Sequence, residues 1–292
     1  MAASLSGLFL FYGFEACGDV AEEVADPTRR IPRAMILTIL VGGVSGFLSY
    51  AGYVLAAPDL QAIVAGEDTD PIPSILESSL GTAGSQVFLV VTVVAFISCV
   101  LSLQAAGSRL LYAFARDRML PASGWLSHIS ARHAVPTNAL LVVCVVPMLI
   151  AFFVFWRPDT LAPVTAFAVL GIYVAFQAVV LAALRQRAKG WRPAGLWNLG
   201  RWGTAVNVVA LAYGVFAIIL LLQPADADAF LDRWIVLIGL CVVGGTGLIY
   251  LFLARPDRHS DGIPERDARA VAEQLRQIRS RAQAAPSEET HR

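Results

Sequence analysis

Lysine is almost missing from this chain of 292 residues: Lys189 is the only one. Charged residues make up only 15% of the sequence, and the 22 basic and 22 acidic side chains cancel, so no electrostatic case exists for a nucleic-acid partner. Cys17, Cys99, Cys144 and Cys241 are widely spaced and fit no zinc or redox pattern. His128, His133, His259 and His291 have no cysteine or carboxylate at ligand spacing, which argues against a metal or other cofactor. No apolar run pairs a nucleophile with a base, and no glycine loop is built to cradle phosphate, so no enzyme is expected. Met1 is followed by no basic region, so no signal peptide is expected. No internal repeat is visible.

What the chain has in abundance is apolar sequence: 57% hydrophobic residues and a mean hydropathy of +0.65. These values fit an all-α polytopic membrane protein. Six apolar runs are long enough to cross a bilayer as helices, at about 34–57, 87–107, 137–156, 161–184, 203–222 and 234–253. Gly42, Gly43, Gly46 and Gly52 thin one side of the first of these and invite close approach of another helix. Between the first two runs lies an acidic stretch with a short helix expected over 73–81, stopped at Gly81. Pro147 predicts a kink in the run 137–156. Residues 1–253 read as the membrane domain. Residues 254–292 read as a charged tail, either mobile or carrying a short surface helix through Ala268, Val271, Leu275 and Ile278.

The remaining apolar segment opens the chain and differs from the rest. Taken as far as Glu23 it covers 22 residues, about 33 Å of helix. It carries Glu15, Asp19, Glu22 and Glu23, and a carboxylate at membrane depth costs at least a few kcal/mol unless it faces protein, water or a partner. Gly13 stands two residues before Glu15, and glycine has the weakest helix preference of any residue but proline. The stretch Phe11-Tyr12-Gly13-Phe14-Glu15 therefore reads as a helix break inside a span, or else as the headgroup end of an ordinary helix.

Charge asymmetry decides between the two. Alternating crossings leave only Arg157 and Arg233 of the 22 basic residues in external loops. Arg29, Arg30 and Arg33 then lie on the cytoplasmic side, and the segment before them must cross. The sequence thus predicts seven transmembrane helices, with the first discontinuous, the N-terminus outside and the C-terminus in the cytoplasm. With Lys189 in a loop, a retinal-type photoreceptor is excluded; a seven-helix receptor is opposed by the broken first helix and the connector that follows it.

Two stretches carry a family resemblance. One is Phe11-Tyr12-Gly13-Phe14-Glu15 with Ala21-Glu22-Glu23-Val24 and Asp26-Pro27-Thr28-Arg29-Arg30-Ile31-Pro32-Arg33-Ala34. The other is Ser108-Arg109-Leu110-Leu111-Tyr112-Ala113, then Arg116-Asp117-Arg118-Met119-Leu120-Pro121 and Pro136. They resemble, respectively, the discontinuous sixth helix with its inner loop and the inner end of the eighth helix in amino acid permeases of the amino acid–polyamine–organocation (APC) superfamily. The resemblance implies that the chain corresponds to helices six to twelve, the second inverted repeat plus two extra helices. The first five helices are then missing, through truncation or because another chain supplies that N-terminal half in trans.

It further implies secondary active transport of amino acids or related amines across the plasma membrane by alternating access, with the truncated chain inactive alone. A non-transporting membrane fragment or accessory subunit is the alternative. In such a permease the carbonyls around Phe9 to Tyr12 accept the substrate ammonium, and Gly13 permits the unwinding. Phe9 matches an aromatic gate, or it simply packs in the core. Phe11 and Phe14 flank the break. Glu15 matches an acidic position in proton-coupled members, or it serves a structural hydrogen bond. Ser98 and Ser102, four apart on one helix face, are cavity candidates unless they bond their own helix carbonyls. Thr165 and Tyr173 are polar candidates on the fifth span. Glu22, Glu23, Asp26, Arg29, Arg30 and Arg33 are candidates for an inner gate, as a salt-bridge network, or form a solvated loop. The implied partners are the small-molecule substrate and the lipid bilayer.

Overall fold

A computed structural model describes residues 7, 9–67, 71–132, 135–191, 198–200, 202–223, 230–256, 274 and 277. Among them are only helices and connecting turns. Gly7, Phe9 and Leu10 are helical and precede a break. Then follow α1 (Ala16–Asp19), a 3-10 turn (Ala21–Glu23), α2 (Pro27–Ala56), α3 (Leu60–Ala65) and α4 (Pro71–Arg116). The second part comprises α5 (Ser123–Leu126), α6 (Thr137–Trp156), a 3-10 turn (Pro158–Thr160), α7 (Leu161–Ala188), α8 (Trp202–Leu221), α9 (Phe230–Arg233) and α10 (Ile235–Ala254). Six of these, α2, α4, α6, α7, α8 and α10, are long and apolar enough to cross a membrane. The chain is an all-α polytopic membrane protein.

The helix ends follow local chemistry. Asp59 caps α3 by accepting from the N–H groups of Gln61 and Ala62, both at 3.0 Å, and Gly66 ends it at φ +78°. The span α2 starts earlier than the Asp26-Pro27 and Ile31-Pro32 steps suggest. Pro27 opens it, a position where the absent N–H is not missed, and Pro32 falls only in the second turn. The connector expected after the broken helix is correspondingly shorter, since Arg29, Arg30 and Arg33 already lie in α2. Gly81 does interrupt its helix, at φ +68°, but residues 82–86 are helical, not loop: the short helix expected over 73–81 and the apolar run 87–107 form one kinked element. Of the tail, only Gln274 and Gln277 are described, both helical; the amphipathic positions Ala268, Val271, Leu275 and Ile278 lie outside the described residues.

The tightest packing joins α7 to α8. Val169, Leu170, Tyr173, Ala217 and Leu221 form a buried cluster, and Phe9 from before the break packs against it. Gly214 on α8 makes room for the Gln177 side chain, whose amide group fills the space that a Cβ would need. The opposite flank of the broken segment meets α2. A Cβ at Gly43 would come within 3.0 Å of the Phe11 ring, and one at Gly46 within 2.8 Å of Leu10. Gly42 and Gly52 face open space, so only half of the small-residue stripe serves this contact. The broken segment is thus held between α2 and the α7–α8 pair. The long apolar side chains on the outer faces of α2, α4 and α6 are exposed, as befits helices solvated by lipid.

Candidate functional site

The helix that includes Leu10 closes its last turn with the Phe11 N–H donating to the Gly7 carbonyl at 3.3 Å. Residues 11–15 are not helical. Gly13 adopts φ +94°, a region that side-chain-bearing residues rarely visit. The chain then turns back into helix, with Ala16 N–H donating to Gly13 O at 3.3 Å and Gly18 N–H to Glu15 O at 2.6 Å. Among the described residues, nothing donates to the carbonyls of Phe11 and Tyr12. Carbonyls left unpaired away from water are costly, so they are free to accept from a ligand or from water. The released N–H of Gly13 has found its partner locally: it donates to Glu15 Oε2 at 2.9 Å.

Aromatic rings wall one side of the break. The Phe14 ring lies 5.4 Å from that of Phe176, centroid to centroid. Phe176 meets Tyr173 edge-on at 6.1 Å, and Tyr173 lies 6.4 Å from Tyr213 on α8. Such faces are negative and suit a desolvated ammonium. Of the residues expected here, Phe9, Phe11, Tyr12, Gly13, Phe14, Glu15 and Tyr173 are brought together around the break. Phe11 and Tyr12 stay partly open, at 39% exposure each. Phe176 and Tyr213 join them unforeseen; three-residue spacing of aromatics on α7 is the signal that links Phe176 to Tyr173.

Other expected residues stand apart. Ser102 on α4 donates to the Ser98 carbonyl at 2.9 Å, and both serines are exposed. Thr165 donates to Leu161 O at 2.8 Å. Ser102 and Thr165 thus show the internal-bonding arrangement that is common for hydroxyls in apolar helices, while Ser98 contributes its main-chain carbonyl to it.

The inner-gate candidates divide. Glu23 accepts from Arg109 Nε and, at 2.9 Å, from Arg109 Nη2. Glu22 accepts from Arg116 Nη1 at 3.0 Å and Nη2 at 3.1 Å. The hydrogen bonds from Arg116 hold the Glu22 carboxyl below the usual glutamate range, and those from Arg109 do the same for Glu23. Asp26 instead caps α2: its carbonyl accepts from the N–H groups of Arg29 and Arg30, and its carboxylate from Thr28 Oγ1 at 3.3 Å. Arg29, Arg30 and Arg33 are exposed and form no ion pair among the described residues. The partners of Glu22 and Glu23 therefore come from α4, not from their own loop. A cavity of about 370 Å³ lies beside these pairs, lined by Asp19, Glu22, Glu23, Arg109, Tyr112 and Pro136 among others.

Comparison with known proteins agrees with this architecture. Residues 1–246 match the sequence profile of the amino acid permease family. A Macrophomina phaseolina protein named for amino acid/polyamine transport is 30% identical over 211 residues, covering 70% of this chain and 46% of its own. A thiamine transporter of Schizosaccharomyces pombe is 29% identical, covering 73% of this chain and 36% of its own. A choline transporter of Saccharomyces cerevisiae is 30% identical, with 70% and 36% covered. The chain thus spans less than half the length of these relatives. No solved structure matches it. The chain belongs to the amino acid permease family of the APC superfamily.

Proposed function

We propose that these residues form helices six to twelve of a secondary permease that carries amino acids or related amines by alternating access. The observation that carries this reading is the break at Gly13, where the Phe11 and Tyr12 carbonyls have no donor among the described residues and lie beside an acid and an aromatic wall. The carbonyls of Phe9 to Tyr12 bind the ammonium group. Phe9, Phe11, Phe14 and Tyr173 enclose the substrate, with Ser98, Ser102 and Thr165 farther from it. Glu15 carries the coupled proton. The relatives named for polyamine, choline and thiamine transport support a substrate with a cationic nitrogen.

The protein lies in the plasma membrane with residue 1 outside and the charged tail in the cytoplasm. The asymmetry of the arginines supports this orientation. The five helices that precede the sixth in this family complete the transport path, from the same chain or from another. A non-transporting membrane fragment or accessory subunit is the second reading.

The test is reconstitution in liposomes, with binding and uptake of radiolabelled putrescine, choline and amino acids. Saturable binding to this chain is expected, lost in Gly13→Ala and impaired in Glu15→Gln, with uptake restored when the preceding five-helix half is supplied. Binding that ignores both substitutions would remove the break from the site. Uptake absent from the complemented protein would favour the accessory reading.

A further inference from the structure

Four charged side chains at one end of the bundle are not used by the substrate site. Glu22 and Glu23 sit on the 3-10 turn that follows α1. Arg109 and Arg116 lie seven residues apart, two helical turns, and so share one face of α4. Each arginine grips one glutamate through two N–H···O bonds, across 86 residues for Arg109–Glu23 and 94 for Arg116–Glu22. Each guanidinium is also fixed to its own helix. Arg109 donates a further bond to the Ala105 carbonyl at 3.0 Å. Arg116 lies 5.8 Å from the Tyr112 ring centroid and 3.4 Å from Asp117 Oδ1.

The element held by this grip is short, and it packs against α4 and, more lightly, against α2. The helix α1 has four residues, no side-chain cap and no buried residue. A single turn of that length is not stable alone. Its contacts with α2 are slight: Cys17 Sγ lies 3.9 Å from Thr38 Oγ1, and Gly18 lies beside the Met35 methyl. The turn that carries the two glutamates follows it directly, closed by Glu23 N–H donating to Val20 O at 3.0 Å. Holding Glu22 and Glu23 therefore reinforces the packing of α1 on α4, and the cavity of about 370 Å³ lies beside it.

We propose that Arg109 and Arg116 are positioning residues that clamp the inner half of the broken helix to the inner end of α4, so that the clamp must release before α1 can move and open the cavity. The arginines act through Glu22 and Glu23 and touch no substrate. The role of this motion in transport rests on the permease reading; the clamp does not. The strength of the pairs suits a device that opens. The Glu22 and Glu23 side chains are 70% and 59% exposed. An exposed pair favours the closed arrangement only about two- to fivefold, so two acting together bias it by roughly tenfold. A bias of that size holds a half-helix in place yet yields to substrate binding or thermal motion. Being exposed, it is also screened by salt.

Cys17 lies on α1 and is half-buried against α2, which makes it a native reporter. The chain is reconstituted in lipid nanodiscs with Cys99, Cys144 and Cys241 changed to Ala, and the rate of Cys17 alkylation by a water-soluble maleimide is measured. R109Q/R116Q is expected to raise the rate about tenfold. The reversed pair E23R/R109E is expected to bring it back toward the parent rate. Raising the salt to molar strength is expected to speed labelling of the parent several-fold and to leave R109Q/R116Q unchanged. An unchanged rate in R109Q/R116Q with its helical circular dichroism intact overturns the clamp. So does a parent rate indifferent to salt, which decides the matter even if the double variant does not fold. If labelling behaves as expected while the complemented protein takes up no amine, the clamp stands and the permease reading falls.

Discussion

Glu15 accepts a hydrogen bond from the main-chain N–H of Gly13, 2.9 Å away, inside the gap between two helical pieces. An acid two residues downstream thus satisfies a donor that unwinding has set free, while the carbonyls on the other side of the gap stay open. The side chain and the break stabilise each other, and substitution can separate the acceptor from the charge. Glu15→Gln keeps an amide oxygen in place to accept from Gly13. Glu15→Ala removes the acceptor and costs about 1–3 kcal/mol for the stranded donor. Thermal unfolding in detergent should show the alanine variant clearly less stable than the glutamine variant. Equal losses in both would mean that charge, not the hydrogen bond, holds the break.

Gly13→Ala tests the backbone itself. A Cβ at Gly13 meets nothing within 4 Å among the described residues, so crowding by them plays no part. The cost arises from φ +94° alone and is expected at about 1–3 kcal/mol. Gly13→Asn should cost less, because asparagine tolerates positive φ better than alanine. Midpoints of unfolding in the same detergent check the order; alanine no worse than asparagine would contradict it.

Gly214→Ala should disrupt the α7–α8 seam. Its Cβ would overlap the Gln177 amide nitrogen, so the glutamine must leave its place. Overpacking of this kind costs about 1–3 kcal/mol. The Gln177 carbonyl oxygen is buried without a hydrogen-bond partner among the described residues, so trimming that side chain sacrifices little polar bonding. G214A/Q177A is therefore expected to recover most of the loss, and a double variant no better than G214A would place the cost elsewhere.

Acid should weaken the Glu22–Arg116 and Glu23–Arg109 pairs. Hydrogen bonds from Arg116 and Arg109 depress the carboxyls of Glu22 and Glu23 in the folded protein relative to the unfolded chain. Their contribution is therefore full above the ordinary glutamate value of about 4.3 and is lost as pH falls through the lower folded values. The difference in unfolding midpoint between the parent and R109Q/R116Q is expected at pH 7 and should close as pH drops below about 4. A difference that persists in strong acid would show that the arginines stabilise by packing.

Much of this molecule could be read from the order of its residues. The spans at Thr137–Trp156, Trp202–Leu221 and Ile235–Ala254 fall within a residue of where hydropathy puts them, because some 20 apolar residues are what a bilayer requires. The interruption at Gly13 was legible too, since glycine weakens a helix and a nearby acid inside an apolar run needs a polar partner at that depth. Tertiary structure alone chose the companions. Arg29, Arg30 and Arg33, in the first turns of α2, are the arginines nearest to Glu22 and Glu23 in sequence, yet Arg109 and Arg116 on α4 pair with them. Gly43 and Gly46, but not Gly42 and Gly52, meet the broken segment, and Phe14 finds Phe176 far along the chain. Apolar length is a local property that lipid reads one segment at a time. Which charges, rings and glycines meet depends on how the helices rotate and cross, and many packing terms fix that jointly while no single stretch encodes it.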